Sequence, residues 1–345
     1  MTLTSQILQY IFTGINIGSI YGMVAIGFNI IYNTTGIINF AQGEFVMLGG
    51  MIMVSLHVTA GVPMVLAFFL TVAIVAAIGG IFERIAIYPL RKPSVLILII
   101  ITIAGSILMK GIAMFVWGKG TFMLPHFSGE TPIGIFGATL LPQTLWIIGL
   151  MALVVTLLGL FFRYTLTGKA MRACAANRTA ASLVGIDVRR MVFLSFALSA
   201  AIGAVAGIVI TPIALVDYDR GAMLALKGFS AAVLGGLGNS GGAVVAGFII
   251  GILESLGAGF ISSGYKDAIA LFVLLLVLLG NGRDGKAAGQ AQLPDHRRGN
   301  VELALAAIHQ QQVGQLPVFI AAAVPPAQNL VHGGVIVAGI GLADG

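Results

Sequence analysis

Nine stretches of the chain, residues 8–31, 40–59, 63–82, 95–117, 143–162, 191–213, 222–237, 241–261 and 267–279, are almost wholly apolar. A helix needs about 20 such residues to cross the roughly 30 Å of hydrocarbon in a bilayer. The seventh and ninth stretches are short, so each reads as a full span or as a partial, re-entrant helix. Eight or nine transmembrane helices are therefore expected. In hydrocarbon every backbone polar group must find a partner in the protein, and a helix satisfies its own. The expected fold class is all-α, a polytopic membrane helical bundle. Composition agrees: charged residues are 9% of the chain, against about 25% in soluble domains. Mean hydropathy is +1.04, and so little charge could not cover the surface of a soluble fold. Residues 1–11 carry no Lys or Arg and no small-residue cleavage site, which does not fit a removable signal peptide. The single cysteine, Cys174, excludes an internal disulfide and reads as a bystander thiol.

Lys and Arg gather in two loops. Arg84, Arg91 and Lys92 follow the third stretch, and Arg163, Lys169, Arg172, Arg178, Arg189 and Arg190 follow the fifth, opposed only by Asp187. Two crossings separate these loops, so both lie on one side, and the positive-inside rule makes that side the cytoplasm. The N-terminus, residues 118–142 and Asp217–Arg220 then face outward.

Between the first two stretches lies Ile37-Ile38-Asn39-Phe40-Ala41-Gln42-Gly43-Glu44-Phe45, polar sequence with apolar sequence on both sides. Two readings stand. Hydrocarbon tolerates such groups only where protein or a water-filled cavity surrounds them, so the segment belongs to a passage; or it is a short loop at the membrane surface. Glu254 in the eighth stretch is a second buried acid, either on the path or bonded to a neighbouring helix. Lys110 is near enough the external end of its helix to snorkel. Gly14, Gly18 and Gly22, then Gly203 with Gly207 and Gly247 with Gly251, recur every four residues and are expected to let helices approach closely. The glycine-rich run at 235–242 reads as a turn between helices.

Residues 168–187 are Ala-rich and basic, and they predict one short amphipathic helix on the cytoplasmic surface. Ala173, Ala176, Ala180 and Val184 would share a face, and Gly185 would end the helix. Such a helix could simply meet anionic lipid. The run Ala180-Ala181-Ser182-Leu183-Val184-Gly185 also resembles the Ala-Ala-x-x-x-Gly core of the cytoplasmic coupling motif of ABC importer permeases, with Thr179 where that motif begins with Glu. Together with Gly27–Gly36 and the Asn39–Gly43 motif, the chain from about Leu3 to Leu279 resembles the permease subunits of branched-chain amino acid ABC importers.

That resemblance implies an ABC importer permease fold in the bacterial inner membrane. It implies a homologous permease as heterodimer partner, two cytoplasmic ATPase subunits and a periplasmic amino-acid-binding protein delivering leucine, isoleucine or valine. It also implies that Arg172, Arg178, Ala180, Ala181 and Gly185 contact the ATPase. For a zwitterion with an apolar side chain, Asn29, Asn33, Asn39, Gln42, Glu44 and Glu254 are candidates for the charged ends, and Phe40 and Phe45 for the side chain. The resemblance further implies that ATP is bound by the partner subunits, with which the lack of a Gly-x-x-x-x-Gly-Lys-Ser/Thr motif in this sequence agrees. No catalytic centre, cofactor, metal or nucleic acid is expected; the only other partner is membrane lipid. A permease for urea or short amides is the nearest alternative, and an ion-coupled secondary transporter is the main rival of another class.

Residues 281–345 depart from the family. Their charges balance, and His296, His309 and His332 lack metal-ligand spacing. The expected division is a transmembrane permease domain, 1–280, and an atypical, disordered tail, 281–345, consistent with an altered reading frame.

Overall fold

A computed structural model describes residues 3–90, 94–135 and 137–260, together with 262, 264 and 272. The ninth stretch as a span, the tail 281–345, and Arg91 and Lys92 of the orientation count lie outside the described residues.

The chain begins with α1 (Leu3–Thr35), whose 33 residues span about 50 Å. α2 (Gln42–Val54) continues into a π-helical turn, Ser55–Thr59. α3 (Met64–Phe82) ends in another, Glu83–Ile87. α4 is Val95–Trp117, and a small antiparallel hairpin follows, β1 (Ile133–Ile135) and β2 (Ala138–Leu140), with Ile133 opposite Leu140. Then come α5 (Pro142–Tyr164), α6 (Leu166–Ala176), α7 (Arg178–Leu183), α8 (Val188–Ile210), α9 (Arg220–Leu234) and α10 (Ser240–Phe260). Among the described residues, six helices are long and apolar enough to cross a membrane: α1, α3 with its π turn, α4, α5, α8 and α10. The second and seventh stretches fold as the shorter α2 and α9.

Close backbone approach explains the glycine spacing. A Cβ on Gly18 would lie 2.7 Å from the carbonyl oxygen of Gly247, and one on Gly247 would lie 2.7 Å from the amide nitrogen of Gly22. α1 and α10 therefore touch backbone to backbone. Gly207 meets the Val46 carbonyl in the same way, seating α8 on α2. α1, α2 and α8 form the interior, whereas α3, α4 and α5 turn large apolar side chains outward; Phe115 is 91% exposed. In a bilayer that face meets lipid, where it needs no further cover.

The loops gather at two ends, as the charge count expects. At one end the Thr139 amide donates to Gln9 Oε1 (2.8 Å), and Phe122 pairs with Val216. At the other, Arg178 bonds the Thr34 carbonyl, Asn33 bonds Gly238, and Arg189 donates to the Tyr88 hydroxyl (3.2 Å).

Candidate functional site

The Asn39–Phe45 segment does not lie on the surface. Asn39, Gln42, Glu44 and Phe45 are all fully buried. Gln42 Nε2 donates to the Ser199 carbonyl (3.2 Å), and the Ser199 hydroxyl reaches both Gln42 Oε1 (2.6 Å) and the Gly27 carbonyl (2.8 Å). Gly27 precedes Thr35 by eight residues, so α2 starts about 12 Å along α1 from its end, inside the bundle. Glu44 Oε1 accepts from the Ser106 hydroxyl (2.7 Å), while Oε2 has no hydrogen-bond partner among the described residues. Gly43 is needed where it is because its Cα faces the Gly221 carbonyl at the start of α9.

Asn29 and Asn33 act elsewhere. Asn29 Oδ1 accepts from the Gly238 amide (3.0 Å), and Asn33 Nδ2 donates to the Gly238 carbonyl (2.9 Å). The two asparagines clamp the α9–α10 turn, where Gly238 sits at φ +93° and needs to be glycine. The Phe40 amide donates to the Thr102 hydroxyl (3.3 Å), and its ring lies 6.0 Å from that of Phe229, which also packs on Phe28 at 5.7 Å.

None of these residues lines a cavity found among the described residues. That cavity, about 670 Å³, lies between the outer half of α1, Val46 and Met47 of α2, the end of α8 with the connection after it, and the first turns of α9. Its size suits a small molecule. Its walls are mainly aliphatic, including Ile17, Ile20, Ile210 and Leu224. At the outer end the charges are matched: Arg220 pairs with Asp217 (3.2 Å), and Asp219 with Lys110 (2.7 Å), the lysine expected to reach outward. At the inner end Lys227 faces the cavity, and its Nζ donates to Glu254 Oε1 (2.9 Å) while the Tyr21 hydroxyl donates to Oε2 (2.8 Å). Glu254 thus bonds neighbouring helices, and behind the cavity wall it holds two cavity-lining side chains. Sequence reasoning found Glu254 and missed Lys227. The signal was present, because a lysine inside an apolar stretch needs a buried partner.

The basic segment differs from its expected form. Two helices replace one, because the Asn177 side chain accepts from the Ala180 amide (3.0 Å) and caps a new start, leaving its own backbone extended. Ala180 and Val184 are consequently exposed, and the buried positions are Gly168, Met171, Cys174 and Ala181. Gly185, at φ +86°, does end the segment. Arg172 and Arg178 are both exposed as residues, but the Arg178 guanidinium is partly buried and donates through Nε and Nη2 to the Thr34 carbonyl (2.9 and 2.6 Å). Desolvation there pulls its pKa below the ordinary arginine value. Burial likewise raises the Cys174 thiol, which fits an inert side chain. Leu183 and Val184 stand out from the tip, 83% and 77% exposed. Among the described residues no group of three or more His, Cys, Asp or Glu is arranged to hold a metal ion.

A model of the family described as branched-chain amino acid transport system / permease component matches residues 10–278. The high-affinity branched-chain amino acid transport system permease protein LivH of Escherichia coli K12 is 36% identical over 287 residues, covering 79% of this chain and 92% of its own length. BraD of Pseudomonas aeruginosa, named for the same transport system, is 32% identical over 287 residues, covering 79% and 93%. A probable branched-chain amino acid transport permease protein LivH of Methanocaldococcus jannaschii is 30% identical over 275 residues, covering 74% and 85%.

Proposed function

The chain belongs to the family of branched-chain amino acid transport system permease components, and from that premise we propose that it forms half of the membrane path of an ATP-driven importer for small aliphatic amino acids. It is a multi-pass protein of the bacterial inner membrane and a transport subunit. The other half of the path is a homologous permease, two ATPase subunits dock at the cytoplasmic end, and a binding protein delivers cargo from outside. The short helices α2 and α9 complete the path as partial spans inside the bundle, giving eight membrane helices with the six long ones. The family match ends at residue 278, which supports a permease domain ending near 280.

The cavity carries this reading. It is walled by aliphatic side chains, carries charge at both ends, and lies toward the end of the bundle where residues 118–142 and 211–220 gather. Inward of it, the tilted rings of Phe28, Phe40 and Phe229 pack into a plug, with the buried Gln42–Ser199 bond beside it and the partly buried Asn29–Gly238 bond beyond. In this account Asn29, Asn33, Asn39, Phe40, Gln42, Glu44 and Phe45 form the inner gate of the path. They part when the bundle rocks.

The drive enters through α7. Leu183 and Val184 offer an apolar knob for a cleft on an ATPase subunit, with Arg172, Ala180 and Gly185 around it. Arg178 and the buried Ala181 tie α7 to the bundle. Arg178 holds the Thr34 carbonyl in the last turn of α1, so a displacement of α7 pulls on the helix that lines both cavity and gate. Uptake of labelled leucine into vesicles holding the assembled importer tests the reading. Accumulation is expected only with internal ATP and external binding protein. Accumulation with an ion gradient alone would overturn it.

A further inference from the structure

At the cytoplasmic end of the bundle two guanidinium groups converge on one tyrosine ring. The Arg84 guanidinium carbon lies 4.3 Å from the centre of the Tyr88 ring, and that of Arg189 lies 5.0 Å from it. Arg189 Nη1 also donates to the Tyr88 hydroxyl (3.2 Å), and Arg84 lies 6.0 Å from the Phe193 ring. Both arginines are exposed, and among the described residues neither belongs to an ion pair. Glu83, next to Arg84 in the chain, is buried, and Asp187 is paired with Arg190. The two charges stand no more than about 9 Å apart, so they repel each other, and the shared ring offsets only part of that cost. Local structure holds them there. The π-helical turn Glu83–Ile87 is closed by the Tyr88 amide on the Glu83 carbonyl (2.8 Å), a rare turn that recurs at functional sites. Gly80 leaves room for Phe193, where a Cβ would come within 2.8 Å of the ring, and so brings the start of α8 against the end of α3.

We propose that Arg84 and Arg189, held on Tyr88, form a site for the phosphate of an anionic phospholipid in the inner leaflet. A guanidinium presents its N–H groups as a planar fork that matches phosphate oxygens, and a phosphate between two of them relieves their repulsion. The surroundings select a lipid over a soluble partner. Tyrosine gathers at the level where a bilayer meets water. Beside the pair, Ile81, Ile85, Phe193 and Leu194 leave apolar surface exposed, Ile85 by 72%. That surface lies on α3 with its π turn and on α8, both of them long and apolar enough to cross the membrane, so it meets hydrocarbon and suits an acyl chain. A lipid bound here ties the end of α3 to the start of α8, the helix whose Ser199 bonds Gln42 in the gate. The site asks only that this end of the bundle lie at the inner leaflet, and it is independent of the solute carried.

The test is the melting temperature of the purified full chain in nanodiscs of phosphatidylcholine, alone or doped with phosphatidylglycerol. The unaltered protein is expected to melt about 2–4 °C higher with the anionic lipid, because a ligand held only by the folded state stabilises it. The double variant Arg84→Gln with Arg189→Gln should lose that rise. Arg163→Gln with Arg190→Gln, which removes two exposed charges from the same side, should keep it. Should the first double variant fail to fold, Arg189→Gln alone decides, since it leaves Arg84 on the ring, and an undiminished rise in it overturns the site. No rise in the unaltered protein, or equal loss in the two double variants, also overturns it. An equal rise in phosphatidylcholine on adding inorganic phosphate would make this a site for a free anion and not for lipid. Loss of ATPase capture in the Arg84–Arg189 variant with the lipid rise intact would give the pair to the ATPase and overturn the lipid site.

Discussion

Single atoms decide much of this structure, and glycine is where that is easiest to test. A Cβ on Gly247 would sit 2.7 Å from the Gly22 nitrogen and 2.8 Å from the Gly18 carbonyl, both of them backbone atoms that cannot swing aside. Gly247→Val should therefore force α10 off α1 at a cost of about 1–3 kcal/mol or more, read as a lower melting temperature in detergent. Gly111→Val on α4 has nothing within 4 Å and should melt like the unaltered protein. Equal melting of the two variants would contradict the backbone contact. The spacing of these glycines was legible because it is local, one residue per helical turn on one face. Gly43 was visible as part of a polar motif, but its reason was not, since it lies against Gly221 at the start of a distant helix. The same holds for Ser199, which satisfies Gln42 across 157 residues of sequence.

Helices were readable where their signals are continuous. α4 spans residues 95–117 as its apolar run predicts, with the Ser94 hydroxyl accepting from the Ile97 amide at its start. The basic segment was less readable, because alanine-rich sequence on either side of Asn177 masks the capping asparagine that divides it. That division matters, since it leaves α7 a separate six-residue lever with an apolar tip. Changing Leu183 and Val184 together to Asp should abolish capture of the ATPase subunits by purified permease. Arg178→Gln should keep that capture while lowering uptake, because the tie to α1 is cut beyond the docking point. If Arg178→Gln left uptake intact, α1 would not be the element that α7 moves.

For the whole molecule, the central claim is alternating access: the cavity faces outward while the Phe28–Phe40–Phe229 plug and the gate beneath it are closed, and nucleotide reverses this. The cavity itself was not legible in the sequence. Its lining comes from four helices and the connection between α8 and α9, and its inner end joins Tyr21 and Lys227 through Glu254, residues far apart in the chain. The sequence displayed the buried acid and the polar gate, but no local pattern indicates which polar groups face a void and which face each other. Met223, half-exposed on the cavity wall, offers the most direct measurement. In Met223→Cys, with the buried native Cys174 changed to Ala, a thiol reagent that cannot cross the membrane should label the assembled importer from outside when no nucleotide is present. Trapping the ATPases with vanadate should abolish that labelling. Labelling that is indifferent to the nucleotide state, or that comes only from the cytoplasmic side, would contradict the account.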